Sequence, residues 1–211
     1  NSAYYATPRD LLGARQLWDF NPYASDFDSS HNNLNQPNNK VTAGDPFLYH
    51  YELSAKIMEL SAQMTYQKKG FDGFLGLKAH STQYQRVGKF RNGSYPENSW
   101  GDGNIYRYLG WQLKGGFNYA ITGRLRFFMN GGKYELPPSQ QNLYVNPREN
   151  HWTIPNTGLE KHLVWEGGYQ YQSNQLDIKF SAFWIQQKNL SEVSYYFADG
   201  VGGERALFVQ E

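Results

Sequence analysis

The chain has 211 residues, no cysteine and a formal net charge of +1. That balance, with no long Lys/Arg runs, gives no electrostatic pull toward nucleic acid, and the missing thiols exclude disulfides, a thiolate metal centre and a cysteine nucleophile. No apolar run approaches the ~18 residues of a membrane-spanning helix, whereas 17 Tyr, 13 Phe, 6 Trp and 21 Gly suit an all-β protein rich in turns.

In chain order, residues 1–48 read mainly as loop. Asn21-Pro22 and Gln36-Pro37 break regular structure, and Asp26 to Asn39 is rich in Asp, Ser and Asn. Asp26, Asp28, Asn32 and Asn33 offer oxygen ligands of the kind calcium takes, but the Gly and distal Glu of a helix-loop-helix site are missing, so a solvated loop is the better reading. Tyr49 to Gln67 is ambiguous. Tyr49, Tyr51, Leu53, Ala55 and Ile57 alternate with polar residues; the phase then flips to Met58, Leu60, Ala62, Met64 and Tyr66. A β-bulge produces such a flip, yet Leu53, Ile57, Leu60 and Met64 also fit a helix, with Glu52 and Lys56 as an i,i+4 pair. The strands that follow favour a long bulged strand.

Lys68-Lys69-Gly70 turns the chain into a second strand, Phe71 to Gln85, with Phe71, Leu75, Leu77 and Ala79 on one face and Lys78, His80 and Thr82 on the other. Arg86 to Asn104 is a long polar loop. Leu109 to Met129 is the clearest segment. Leu109, Trp111, Leu113, Gly115, Phe117, Tyr119 and Ile121 oppose Gly110, Gln112, Lys114, Gly116, Asn118, Ala120 and Thr122. This period of two marks a strand between two different solvents. Thr122-Gly123-Arg124 is the turn, with Gly123 expected to supply a positive φ. Alternation resumes at Leu125, Phe127 and Met129. Gly131 to Pro155 is again long and irregular. A further hairpin sets Leu163, Trp165, Gly167, Tyr169 and Tyr171 beside Leu176, Ile178, Phe180, Ala182 and Trp184, turning at Ser173-Asn174-Gln175. A loop from Gln186, a short strand near Tyr195 to Phe197, a loop over Ala198 to Glu204 and a last alternating piece from Ala206 complete the chain. Hairpins are thus expected over 49–85, 105–135 and 162–189.

Two regularities point to lipid rather than a protein core. The strand from Leu109 exceeds the usual globular ~5–6 residues and reaches the ~9–11 that cross a bilayer. Short turns near Lys69, Gly123 and Asn174 alternate with long loops, the asymmetry of outer-membrane barrels. Catalytic motifs are absent. His31, His50, His80, His151 and His162 show no metal spacing, no GxSxG occurs, and Gly101-Asp102-Gly103 lacks the Lys-Ser/Thr of a phosphate loop. No cofactor is expected. Arg86, Arg91, Tyr95, Trp100, Tyr144, Arg148 and Trp152, in the long loops, are the candidates for ligand contact; packing of the loops on one another accounts for them equally well.

The order of segments resembles the barrel of TonB-dependent outer-membrane receptors, in the form common in Bacteroidetes. The carrying stretches are Gly44-Asp45-Pro46-Phe47-Leu48-Tyr49-His50-Tyr51, Gln83-Tyr84-Gln85-Arg86-Val87-Gly88, and Leu113-Lys114-Gly115-Gly116-Phe117-Asn118-Tyr119 with its Thr122-Gly123-Arg124 turn. To these are added Leu136-Pro137-Pro138 through Asn146-Pro147-Arg148 to Leu159-Glu160-Lys161, and Glu166-Gly167-Gly168-Tyr169. The resemblance implies an antiparallel transmembrane β-barrel of about 22 strands with short periplasmic turns, long extracellular loops and a lumen-filling plug. The chain would supply about eight of those strands as part of one barrel domain. Its opening at Asn1-Ser2-Ala3 and its end inside an alternating piece read as an internal section of a longer protein, with the plug outside it. The implied function is uptake of a scarce nutrient (an iron chelate, cobalamin or a glycan) across the outer membrane. The implied partners are the lipid bilayer and the inner-membrane TonB energy-coupling complex, with room for a surface lipoprotein or another outer-membrane complex. The family carries no catalytic residues to transfer. Other readings are a passive or structural barrel, such as a porin or a component of a secretion or surface complex, and a soluble all-β glycan-binding domain.

Overall fold

The computed structural model describes residues 2–7, 17–19, 29–196 and 205–210. The protein is all-β and antiparallel. Its main sheet runs β1 (Ser2–Tyr5), β4 (Pro46–Lys68), β5 (Phe71–Gly88), β7 (Tyr106–Ala120), β8 (Leu125–Leu136), β9 (Glu160–Gln172) and β10 (Asp177–Lys188), with β6 (Gly101–Asp102) as a short addition on β5. Two small ribbons stand apart from it: β2 (Leu17–Trp18) with β3 (Lys40–Val41), and β11 (Ser191–Tyr196) with β12 (Arg205–Gln210). A single helical turn, α1 (Gln140–Leu143), is the one helix among the described residues.

The three expected hairpins form. Each central strand is hydrogen-bonded on both sides, so the backbone amides and carbonyls that an extended chain must satisfy find partners across the ladder. Tight turns join β4 to β5, β7 to β8 and β9 to β10 at one end. Gly70 sits at φ 77° in the first. In the second, Gly123 is not at positive φ, contrary to expectation. The Thr122 hydroxyl closes that turn instead, accepting from the Arg124 and Leu125 amides at 3.2 and 3.0 Å. Long connections occupy the other end, at 89–105 and 137–159. The third, from Gln186, proves shorter than expected: β10 continues to Lys188, and β11 begins after a bend at Asn189. The loop expected over 198–204 lies outside the described residues.

The strand favoured over 49–67 forms, short strands interrupt the loop of 1–48, and one further expectation, the bulge, needs correction. Residues 1–48 are not loop alone, because β1 pairs with β4, and β2 pairs with β3. Ala6, Val41 and Phe47 pack beneath them as a small buried cluster. Residues 49–67 form strand with no helix. Nor is there a bulge at the phase flip: β4 pairs with β5 without a slip from Tyr51↔Gly88 to Lys68↔Phe71. The only irregularity of β4 lies earlier, against β1, where Leu48 takes φ 66°.

The register explains the flip. Residues directly opposite share a face, so Met58, Leu60, Ala62, Met64 and Tyr66 of β4 continue into Phe71, Leu75, Leu77 and Ala79 of β5 and Leu109 to Tyr119 of β7. The same face passes through Leu125, Phe127 and Met129, then Leu163, Trp165, Tyr169 and Tyr171, to Ile178, Phe180 and Trp184. This is one apolar band across six strands. Nearer the loops the inside of the sheet is roofed, and Tyr51 and Leu53 point under that roof while Glu52, Ser54 and Lys56 point outward. The strand stays straight; its surroundings exchange sides.

Among the described residues, no second layer covers the band. Leu60 is 78% exposed, Leu109 75% and Phe180 71%. Trp111 and Phe117 are half-buried by neighbours on the same face only. Toward the turns the band carries an aromatic row in which Phe71 stacks on Phe117 at 5.7 Å, Phe117 meets Phe127 at 5.8 Å, and Phe127 meets Tyr169 at 5.2 Å. The opposite face is polar through Glu59, Lys78, Gln112, Lys114, Asn130, Glu166 and Lys179, although Ile57, Phe128, Phe183 and Ile185 also point there. Lys78–Glu59 and Lys179–Glu166 ion pairs, at 3.2 and 3.4 Å, cross between strands on this side.

Gly168 fixes how closely β9 lies on β10: a Cβ there would run into the Phe180 carbonyl oxygen and approach the Ser181 Cα. Gly168→Val is therefore expected to destabilise the 160–188 hairpin by about 1–3 kcal/mol, the range for overpacking. The thermal midpoint of the folded protein, followed by circular dichroism, checks it.

Candidate functional site

The loop end of the polar face is a built structure. Tyr84 and Tyr106 lie opposite one another there, with Tyr108 on the same face. The connection after β8 folds back over them. Ser139 caps α1, its hydroxyl accepting from the Asn142 amide at 3.2 Å. Beyond it the chain doubles on itself, with Ile154 donating to Leu143 at 3.0 Å and Val145 to Trp152 at 3.0 Å. Leu143 and Tyr144, each 1% exposed, then pack on Tyr84 and Tyr108. The Tyr84 hydroxyl donates to the Pro138 carbonyl at 3.2 Å, and Gln140 Nε2 to the Ser54 carbonyl at 2.9 Å. Burial pushes the Tyr144 phenol up to about 12.

Arg86 is the staple of this cap. The guanidinium, buried at 1% exposure, donates from Nε to the Pro147 carbonyl at 2.7 Å and from Nη1 to the Ser99 carbonyl at 2.8 Å. Nη1 also lies 2.9 Å from His151 Nδ1, and the charge sits 5.3 Å from the centre of the Tyr51 ring. One side chain on β5 thus holds both long loops, by charge-assisted bonds to their backbone and without a carboxylate partner. An arginine cannot accept, so Nδ1 of His151 must be the acceptor and the imidazole neutral, with Nε2 toward the Trp100 carbonyl at 3.5 Å. Burial, then the Arg86 charge, lowers the His151 pKa below its ordinary 6.5. Neighbouring backbone leaves no slack: a Cβ on Gly88 would strike the Ser99 carbonyl, and one on Gly103 would lie 2.7 Å from His151 Nδ1.

The seven loop candidates separate into three groups. Arg86 and Tyr144 are interior and hold the cap together. Arg91 is engaged within its own loop, through Pro96 at 2.8 Å and Glu97 at 2.9 Å. The other four lie toward the surface of the loop end. Tyr95 meets Trp152 edge-on at 5.1 Å, joining the two loops. Trp152 and Trp100 are 54% and 59% exposed, and Arg148 lies 5.2 Å over the Tyr49 ring. Exposed indoles beside a cation can stack on a planar or sugar-like ligand. Sequence reasoning missed His151 and Ser99 as members of the staple. Neither lies in an alternating segment, and only a lone histidine was visible.

The other sequence candidates are structural. Asn32 donates to Asp19 at 2.7 Å, and Asn33 accepts from the Asn35 and Arg91 amides. Asp26 and Asp28 lie outside the described residues, and no cluster of metal-ligating side chains occurs among the described ones. Gly101 and Asp102 are the β6 edge paired with β5. His80 is buried beside Gly110 with neither ring nitrogen hydrogen-bonded. No protein-family model, curated protein or solved structure compared with this chain matches it.

Two outcomes follow from the staple. Arg86→Ala would leave the Pro147 and Ser99 carbonyls without their donor, at about 1–3 kcal/mol for each buried group left unpaired. The variant should be cleaved within 137–155 by a protease that spares the native protein. The depressed His151 pKa means that the cap is fully held above the ordinary value of 6.5 and loses stability as pH falls below it, where the undocked loop takes up a proton that the docked loop resists. Hydrogen exchange of the 143–154 amides at pH 8 and pH 5, corrected for intrinsic rates, should show lower protection at the acid pH, and His151→Gln should flatten the difference.

Proposed function

We propose that this chain is part of an outer-membrane β-barrel that takes up a scarce nutrient in the manner of TonB-dependent receptors. The observation that carries the reading is the uncovered apolar band. A water-soluble domain would place such a face against a second layer. A lipid-facing barrel wall needs no second layer, because hydrocarbon covers it. From Met58 to Tyr66 the band is nine residues tall on β4, which matches the ~9–11 residues of a tilted crossing. Its aromatic row toward the turns suits an interfacial girdle.

The ends of the sheet support an orientation. Tight turns suit the periplasmic side and the long, roofed loops the cell exterior. The cap lies on the polar face, where a barrel would have its lumen, so it narrows the outer mouth above the interior. Trp100, Trp152, Tyr95 and Arg148 are the residues assigned to first contact with the ligand. In a barrel, strands contributed by the rest of the protein would continue from β1 and β10, the two edges of the open main sheet.

A passive or structural barrel shares the whole of this membrane argument and differs only in energy coupling. Disabling the inner-membrane energy-coupling complex should abolish uptake of the nutrient as fully as deleting this gene. Uptake that persists without the complex would favour the passive barrel. The membrane assignment has its own check in Leu75→Arg, in the middle of the band. It should destabilise the bilayer-inserted protein by about 2–4 kcal/mol, whereas Gln112→Arg on the polar face should change stability by less than about 0.5 kcal/mol. Release of the native protein from membranes by alkaline carbonate without detergent would overturn the membrane reading and leave the soluble glycan-binding domain.

A further inference from the structure

The apolar band has a different border at each end. Toward the turns it ends in aromatic rings, with Lys68 the one cation on that border. Toward the loops it ends, strand after strand, in a basic residue on the same outer face. These are Lys56 on β4, Arg107 on β7, Lys133 on β8, Lys161 on β9 and Lys188 on β10, with Gln83 in the corresponding place on β5. The border is level across β4, β5 and β7, lies six residues nearer the turns at Lys133, which faces Leu113, and then steps back two residues to the Lys161 and Lys188 pair.

All five cations are exposed. Lys161 and Lys188 lie directly opposite each other on this face, a like-charge pairing that costs stability unless an anion bridges it. Two carboxylates share this face near the border: Glu135, opposite Lys161 and 4.0 Å from Lys133, and Glu52, loopward of Lys56 and paired with Lys89 at 3.1 Å. Lys56, Arg107, Lys161 and Lys188 make no ion pair among the described residues. Lys133 lies 4.8 Å over the Trp111 ring, its stem along the top of the band. Just below it, a groove floored by Gly115 and Gly131 runs between Leu75, Leu113, Met129 and Trp165. The Trp165 ring lies directly over Gly131, which has no Cβ to push it away, and forms one wall of the groove.

We infer that this border binds the phosphate groups of anionic lipids in the loop-side leaflet, with one acyl chain seated in the groove below Lys133. The inference rests on the membrane reading and adds a headgroup preference to it. Charge complementarity selects the occupant. A set of cations, four of the five without an ion pair, at the rim of a hydrocarbon-facing band meets the depth at which lipid phosphates lie. The acidic residues of the polar face, Glu59 and Glu166, sit on the other side of the sheet and do not oppose it.

The test uses the full-length native protein in vesicles of phosphatidylcholine mixed with brominated phosphatidylglycerol or, in parallel, brominated phosphatidylcholine. Quenching of tryptophans on the band, among them Trp111, Trp165 and Trp184, reports the relative affinity for each headgroup. The anionic lipid should be favoured several-fold at low salt. Each cation neutralised should lower the preference, by at most about fivefold, the limit for a charge near an anionic surface. Lys161→Gln with Lys188→Gln should therefore abolish most of it while quenching by brominated phosphatidylcholine persists. Lys114→Gln, on the polar face, should leave it unchanged. Equal quenching by both lipids in the native protein, or an equal loss in the Lys114→Gln control, overturns the inference while the membrane reading stands. Quenching by neither lipid overturns both.

Discussion

The structure depends on one constraint: a single sheet whose two faces meet different surroundings while its backbone hydrogen bonds are completed within its own plane. Seven strands in one antiparallel ladder satisfy their amides and carbonyls sideways, so neither face has to supply polar partners to the main chain. Side chains are then free to follow the surroundings alone. On one face they are Leu, Met, Phe, Tyr and Trp with no layer above them; on the other they are paired charges and amides, with a cap over the loop end.

The cap follows from the same division. Above the band the outer face meets water, and the inside holds the apolar side chains. Tyr51, Leu53, Tyr84 and Tyr108 point inward there and need a cover, which residues 137–155 provide through Leu143 and Tyr144. Arg86 fixes that cover at the cost of a buried charge. The charge is tolerated because carbonyls of two loops, an imidazole nitrogen and an aromatic face surround it. The histidine beside it can accept only while neutral, which ties docking of the outer loop to protonation of one group.

The apparent defect in the alternation of residues 49–67 illustrates how far a sequence pattern reaches. A bulge and a helix were both reasonable explanations of a change of phase, because each alters which side chains share a face. The ladder from Tyr51 to Lys68 has neither. What changes at Ile57 and Met58 is which face carries the apolar side chains: under the roof before them, in the uncovered band after them. The same exchange occurs between Tyr84 and Leu77 on β5, and between Tyr108 and Leu109 on β7. The pattern records the border between two environments, and a rule that assumes one environment per strand misreads it.

The sequence by itself determined the all-β class, the three hairpins, the alternating faces and the side on which the tight turns lie. These are local properties: a period of two, a turn residue and a loop length are written in adjacent positions. Tertiary structure alone decided that β1 joins the ladder, that the polar face is roofed, and that Arg86 and Tyr144 hold the roof while Trp100 and Trp152 stay outside it. It also decided that Lys56, Arg107, Lys133, Lys161 and Lys188 share one outer face, since each sits on a different strand and only the pairing register sets them side by side. Register and loop docking bring together residues tens of positions apart, and no local periodicity encodes which of them will meet.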